Sequence, residues 1–115
     1  MATTTAATIS TDAGCLETAV RRIVDLADPV GVILFGSRAR DDHDPRSDFD
    51  ILVIVPDSVQ DRVGLAASLI DDLSDLPLAV DILVTGMGEI NRLRDTPGYV
   101  FREALREGRI LYGGT

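Results

Sequence analysis

Apolar positions along this chain change period several times, and each change marks an element. From Thr11 or Asp12, either of which can cap a helix, Leu16, Val20, Ile23 and Ala27 recur at helical spacing. The helix should stop near Asp28-Pro29, because a residue before proline avoids the α region. Val30 to Phe35 is almost wholly apolar and β-branched, the pattern of a buried strand. It ends at Gly36-Ser37, where Arg38-Ala39-Arg40 can begin a short helix before the polar loop Asp41 to Arg46. A second strand is expected over Phe49 to Val55, stopped by Pro56-Asp57. Ser58 can cap a second helix with Val59, Val63, Ala66, Ala67 and Ile70 at helical spacing, running to about Asp75. After Pro77 a third strand, Leu78 to Val84, carries Asp81 in its middle.

Beyond the third strand, Gly86 to Gly88 reads as a turn, and Glu89 to Arg94 as a short helix or turn broken by Thr96-Pro97-Gly98. Tyr99 to Glu107 predicts a last helix, with Val100, Phe101, Ala104 and Leu105 inward and Gly108 as its C-terminal cap. Arg109 to Tyr112 is a short extended tail or an added strand. Helices alternating with strands predict an α/β (α+β) fold, a sheet with helices packed on it. The 115 residues suffice for one domain, expected over 11–112, behind a flexible tail over 1–10.

Composition narrows the function classes. The net charge of −8 argues against a general nucleic-acid binder, which needs a basic face to displace counterions. All 11 basic residues are arginine, which suits bidentate contacts with phosphate and carboxylate, although a lack of lysine also follows from genome composition. The single cysteine, Cys15, cannot form a disulfide within the chain; this fits a reducing, cytoplasmic setting. No apolar run approaches the ~20 residues needed to cross a bilayer, and the N-terminus lacks the pattern of a secretory signal.

The chemistry concentrates between Phe35 and Asp50, FGSRARDDHDPRSDFD. Residues i and i+2 of a strand share a face, so Asp48 and Asp50 point one way and Phe49 the other. Two adjacent carboxylates repel unless protons, arginines or metal ions offset them. Hard oxygen donors at this spacing suit Mg²⁺, which takes one or two carboxylates together with substrate phosphates. Asp81, in an otherwise apolar strand, is a third carboxylate that can approach the pair if strands two and three are neighbours. Three carboxylates so placed can hold two divalent ions ~4 Å apart across a phosphoryl transfer. Gly36 lets the backbone approach a ligand, and the Ser37 hydroxyl with helix-start N–H groups makes an anion site for a triphosphate. Arg38, Arg40 and Arg46 could offset the charge of a departing pyrophosphate.

Plainer readings stand beside these. Asp48 and Asp50 could be loop-to-strand acids paired with Arg38, Arg40 or Arg46, Asp81 a strand charge facing solvent, and Ser37 a helix cap. His43 reads as an exposed loop residue, Cys15 as packing, and Asp71, Asp72 and Asp75 as a solvated helix face. Tyr99, Phe101 and Tyr112 fit either the core or a surface that meets a partner.

Taken together, Gly36-Ser37, ten intervening residues, Asp48-x-Asp50 and the later lone Asp81 resemble the signature of the DNA polymerase β-like nucleotidyltransferase superfamily. The chain is most similar there to the minimal nucleotidyltransferases, over about Val20 to Tyr112. The resemblance implies a nucleotidyltransferase fold with a small mixed sheet. It implies Mg²⁺ on Asp48, Asp50 and Asp81, with Asp81 also orienting the acceptor hydroxyl. Gly36, Ser37, Arg38, Arg40 and Ser47 would bind the nucleotide. The reaction would be attack by a hydroxyl on the α-phosphorus of an NTP, ATP above all, with release of pyrophosphate. Many members of the family neutralise a HEPN-domain toxin, some by AMPylation of a tyrosine. That implies either an adenylyltransferase antitoxin or a docking antitoxin with little catalysis, and a HEPN partner or a second copy of the chain to complete the cleft. Antibiotic-modifying relatives usually carry an additional substrate domain, for which this length leaves little room. One departure concerns nucleotide affinity: many relatives have glycine after Phe-Gly-Ser-Arg-Ala-Arg, where this chain has Asp41 and an acidic loop to Asp44.

Overall fold

The computed structural model describes residues 11–36, 48–93 and 108–113. The expected tail over 1–10, the loop 37–47, the helix over Tyr99 to Glu107 and the final two residues lie outside the described residues. The described elements are α1 (Thr11–Ala27), β1 (Gly31–Phe35), β2 (Phe49–Val55), α2 (Arg62–Asp72) with a 3-10 turn (Leu73–Asp75), β3 (Val80–Gly86), α3 (Met87–Leu93) and β4 (Arg109–Gly113). The four strands form one sheet in the order β3-β2-β1-β4. β1 runs antiparallel to both β2 and β4, whereas β2 and β3 are parallel. The sheet is therefore mixed, as expected. The parallel pair requires the crossover that α2 supplies.

The two faces of the sheet carry different cores. Val32, Leu34, Ile51, Val53, Val55, Ile82 and Val84 pack on one face against Ala19 and Ile23 of α1 and Leu69 and Leu73 of α2 and its 3-10 turn. Ile33, Leu52 and Ile54 point to the other face, where Ile90 of α3 covers them and Phe35 and Met87 border them. β2 is apolar on both sides because it is central and covered twice.

Several boundaries move from their sequence-based positions, for identifiable reasons. α1 buries Ala19 fully, with Val20 only half-buried beside it. Its end is as expected: Asp28 takes a left-handed conformation (φ 47) and donates its N–H to the Val24 carbonyl at 3.0 Å, just before Pro29. α2 is capped by Asp61, whose carboxylate accepts the Gly64 N–H at 3.0 Å, and not by Ser58. Of the expected inward positions, Val59 and Ala66 pack on the core, whereas Val63 is 84% exposed and Ala67 and Ile70 are exposed. Leu65, Ala66, Leu69 and Leu73 turn inward, since their leucines bury more apolar surface than a valine and alanine stripe. β3 starts at Val80 because the chain is still turning at Leu76 and Leu78, whose N–H groups bond to the Leu73 and Leu76 carbonyls. The Gly86 to Gly88 turn is absorbed into the end of β3 and the start of α3. Arg109 to Tyr112 forms a strand, and it skips a residue where it pairs with Val32 and Ile33.

An ion pair ties α1 to the 3-10 turn after α2. Arg22 Nη1 and Nη2 donate to the two Asp75 carboxylate oxygens at 2.6 and 3.2 Å, and Nη1 also donates to the Asp72 carbonyl at 3.1 Å. Asp75 is thus half of a bidentate pair, not only part of a solvated face. The guanidinium holds the Asp75 carboxyl below its ordinary range. A lowered carboxyl contributes stability above its unfolded pKa, and that contribution is lost as pH falls through the folded value. Arg22→Ala should therefore lower Tm at pH 7, and its gap from the wild type should close as the pH falls below about 4. The drop should be much smaller than that of Leu69→Ala, which removes a fully buried side chain at a cost of about 2–5 kcal/mol. Thermal melts of both variants between pH 7 and pH 3 test this.

Candidate active site

β1 ends where β2 and β3 begin, so three strand termini meet at one end of the sheet. Asp50, the second residue of β2, is the register partner of Asp81, the second residue of β3, and of Phe35, the last residue of β1. Register partners project to the same face, so Phe35, Asp50 and Asp81 form one row across strands about 4.8 Å apart. The row lies on the face that α3 covers further along. Asp48 stands one residue before β2 and is exposed, as is Asp81, while Asp50 is half-buried.

These positions set the electrostatics. Burial, then the charge of Asp81, then that of Asp48, push the Asp50 carboxyl above its ordinary value. Among the described residues none of the three carboxylates has an ion-pair partner. Nor do any three acidic, histidine or cysteine side chains among them gather closely enough to hold a metal ion as they stand. The donor set nevertheless fits a hard divalent cation: two carboxylates on neighbouring strands, a third beside them, and negative charge with no ion-pair partner among the described residues.

Gly36 belongs to the same place. Its φ is +77, and a Cβ there would overlap Asp50 Oδ2 and come within 3.2 Å of Asp50 Cγ. Glycine is thus required both by the left-handed turn and by the carboxylate packed against it. The other expected nucleotide contacts, Ser37, Arg38, Arg40 and Ser47, lie outside the described residues, as do Arg46, His43 and the acidic loop. Cys15 is half-buried in α1.

A second polar cluster, unnoticed in the sequence, sits at the opposite end of β2 and β3. The buried Thr85 hydroxyl donates to Glu89 Oε1 at 3.1 Å, and Arg62 Nη1 donates to the same oxygen at 3.4 Å. Asp57 Oδ1 accepts the Gly88 N–H at 2.9 Å and lies 3.9 Å from Arg62 Nη2. A Cβ on Gly86 would overlap Arg62 Nη2, and one on Gly88 would come within 2.8 Å of Asp57 Oδ2. The cluster anchors α3 to the β2–α2 connection. No spacing signals it, because its members come from four separate segments.

The family model for the nucleotidyltransferase domain matches residues 16–111. No protein of curated function gives a significant sequence match. Among solved structures, one assigned as a nucleotidyltransferase from Sulfolobus solfataricus is similar with TM-score 0.60 and 21% identity, over 87% of this chain and 78% of its own. A toxin–antitoxin complex solved with AMP-PNP has TM-score 0.55 and 23% identity, over 86% of this chain and 74% of its own. Spectinomycin adenyltransferase AAD(9) from Enterococcus faecialis, solved with ATP and spectinomycin, has TM-score 0.62 and 19% identity, over 85% of this chain and 55% of its own.

Two outcomes follow from the carboxylate row. A raised carboxyl contributes stability below its unfolded pKa and loses it as pH rises through the folded value. Without divalent ions, Asp50→Asn should therefore melt above the wild type at pH 7, and the two should converge as the pH falls towards about 4; equal Tm values at pH 7 would contradict the cost of holding Asp50 charged, half-buried and beside Asp81. Gly36→Ala should lose roughly 1–2 kcal/mol in urea unfolding from backbone conformation alone, and more from the displaced Asp50 carboxylate.

Proposed function

The chain belongs to the nucleotidyltransferase domain family, and we propose that it transfers AMP from ATP to a hydroxyl on a partner protein. The observation that carries this reading is the register pairing of Asp50 with Asp81, with Gly36 seated against Asp50. Asp48, Asp50 and Asp81 would hold Mg²⁺, two ions for the full set. Bound there, the metal would supply charge neutralisation at the phosphates and at the attacking and leaving oxygens. Gly36 allows a phosphate to come close to the backbone beside the carboxylates. Ser37 and Ser47 would bind phosphate oxygens, and Arg38 and Arg40 would stabilise the charge that builds on pyrophosphate.

In the transfer, an acceptor oxygen attacks the α-phosphorus and forms a new P–O bond. The bond from that phosphorus to the bridging oxygen breaks, and pyrophosphate leaves. The hydroxyl proton passes to a carboxylate of the row, Asp81 by the family resemblance, and from there to water.

Similar folds solved with AMP-PNP and with ATP favour an adenine nucleotide as donor. The toxin–antitoxin complexes among them, one of them MntA-HpeT, favour an antitoxin role. On this reading the partner is a HEPN-domain toxin in the cytoplasm, and the partner or a second copy of the chain completes the cleft. No helix among the described residues is long and apolar enough to cross a membrane. A second reading, a docking antitoxin with little catalysis, draws on the acidic stretch Asp41 to Asp44 that follows the nucleotide-binding motif in the sequence.

Calorimetric titration of ATP with Mg²⁺ into the wild type and the Asp48→Asn/Asp50→Asn variant separates the two. The enzyme reading expects metal-dependent binding that the variant loses, with transfer of labelled AMP reduced by roughly two to three orders of magnitude. If the variant neutralises its partner as well as the wild type does, the docking reading replaces it.

A further inference from the structure

The sheet has two edges, and they are built differently. At one edge β4 carries a register shift where it meets β1, a common way of spoiling an edge for further pairing. At the other edge β3 pairs with β2 without interruption over all seven residues, Val80 to Gly86. It contains neither proline nor lysine, and among the described residues it pairs with nothing else. The Phe49 N–H donates to the Ala79 carbonyl at 2.9 Å, which fixes the phase of the ladder. The backbone groups of Asp81 and Leu83 therefore point to β2, and those of Val80, Ile82 and Val84 point outward.

We propose, building on the nucleotidyl-transfer reading, that the outer edge of β3, unpaired among the described residues, is the acceptor's docking site. A basic, extended polypeptide segment adds to it as a fifth strand and presents a serine, threonine or tyrosine hydroxyl beside Asp81. Outward-pointing N–H and C=O groups in a row are satisfied fully only by another extended backbone. A strand added there lies about 4.8 Å from β3, so one of its residues continues the row Asp50–Asp81. Two residues along, Leu83 is 37% exposed on the same face and offers an apolar contact to the residue at i+2 of the incoming strand. The chain's net charge of −8 favours a cationic segment. The plainer role for Asp81, a charge that keeps other strands off the edge, makes the opposite prediction.

The test uses the full chain with Mg²⁺ and α-labelled ATP. The acceptors are nine-residue peptides of alternating valine and arginine around one central serine, threonine or tyrosine, with the free amino acids as controls. Labelling of the peptides is expected to exceed that of the free amino acids at least tenfold. Val80→Pro removes an outward N–H and blocks the edge while leaving the β2 ladder intact. It should cut peptide labelling about tenfold, roughly 1.4 kcal/mol, with ATP binding unchanged. Val80→Ala, which loses the same side-chain packing and keeps the N–H, should label like the wild type.

If Val80→Pro does not fold, the peptides carry the test. N-methylation of one alternating set of their amides should abolish labelling, and methylation of the other set should be tolerated, because only one set faces β3. Equal effects of the two sets, labelling of free amino acids as fast as peptides, or no labelling by a chain that binds ATP would overturn the docking site. Failure to bind ATP with Mg²⁺ would instead overturn the nucleotidyl-transfer reading and the docking site with it.

Discussion

The in-register parallel pairing of β2 with β3 is the constraint from which the site follows. Sliding β3 by one residue would turn Asp81 to the face packed by α1 and α2 and carry Ile82 and Val84 out of the core. The hydrophobic register therefore sets the placement of the carboxylates: Ile82 and Val84 must face inward, and Asp81 then has to stand beside Asp50. The apolar core pins together two charges that repel each other. The stability lost at Asp50 is offset by the burial of Ile51, Val53, Ile82 and Val84 beneath it. Functional sites commonly hold groups that are unfavourable in isolation and rely on the surrounding structure to keep them there.

The remaining parts support that pairing. α2 and its 3-10 turn make the crossover that a parallel pair needs, and the Arg22–Asp75 bridge ties the end of that crossover to α1. At the far end of the strands, Thr85, Glu89, Arg62 and Asp57 fix the start of α3, which seals the second face of the sheet through Ile90. Order at one end of β3 thus comes from a satisfied polar network. The other end holds charges that have no ion-pair partner among the described residues, a contrast that suits an anchored end and a working end.

Much of this was legible in the sequence. The runs Val30 to Phe35 and Phe49 to Val55 are apolar enough to be read as buried strands, and Asp48, Asp50 and Asp81 stood out because charges interrupt or border such runs. The face of α2 was not legible in the same way. Val63 and Ile70 fit a helical stripe as well as Leu65 and Leu69 do, and only the capping at Asp61 and the volume available beneath the helix decide between them. The Asp57–Arg62–Glu89–Thr85 cluster left no periodic trace, being assembled from distant segments by the fold itself. β4 was ambiguous because a short stretch ending in glycines becomes a strand only when an edge such as β1 is there to receive it.

If the chain is a nucleotidyltransferase of this design, the Asp50–Asp81 row binds a divalent cation together with a nucleotide. Paramagnetic broadening by Mn²⁺, followed residue by residue in amide NMR spectra with and without ATP, tests it most directly. The amides of Gly36, Asp48, Asp50 and Asp81 are expected to broaden first, and ATP to sharpen this preference. Broadening that starts at the acidic end of α2, Asp71 and Asp72, or that spreads evenly over the acidic surface, would contradict it.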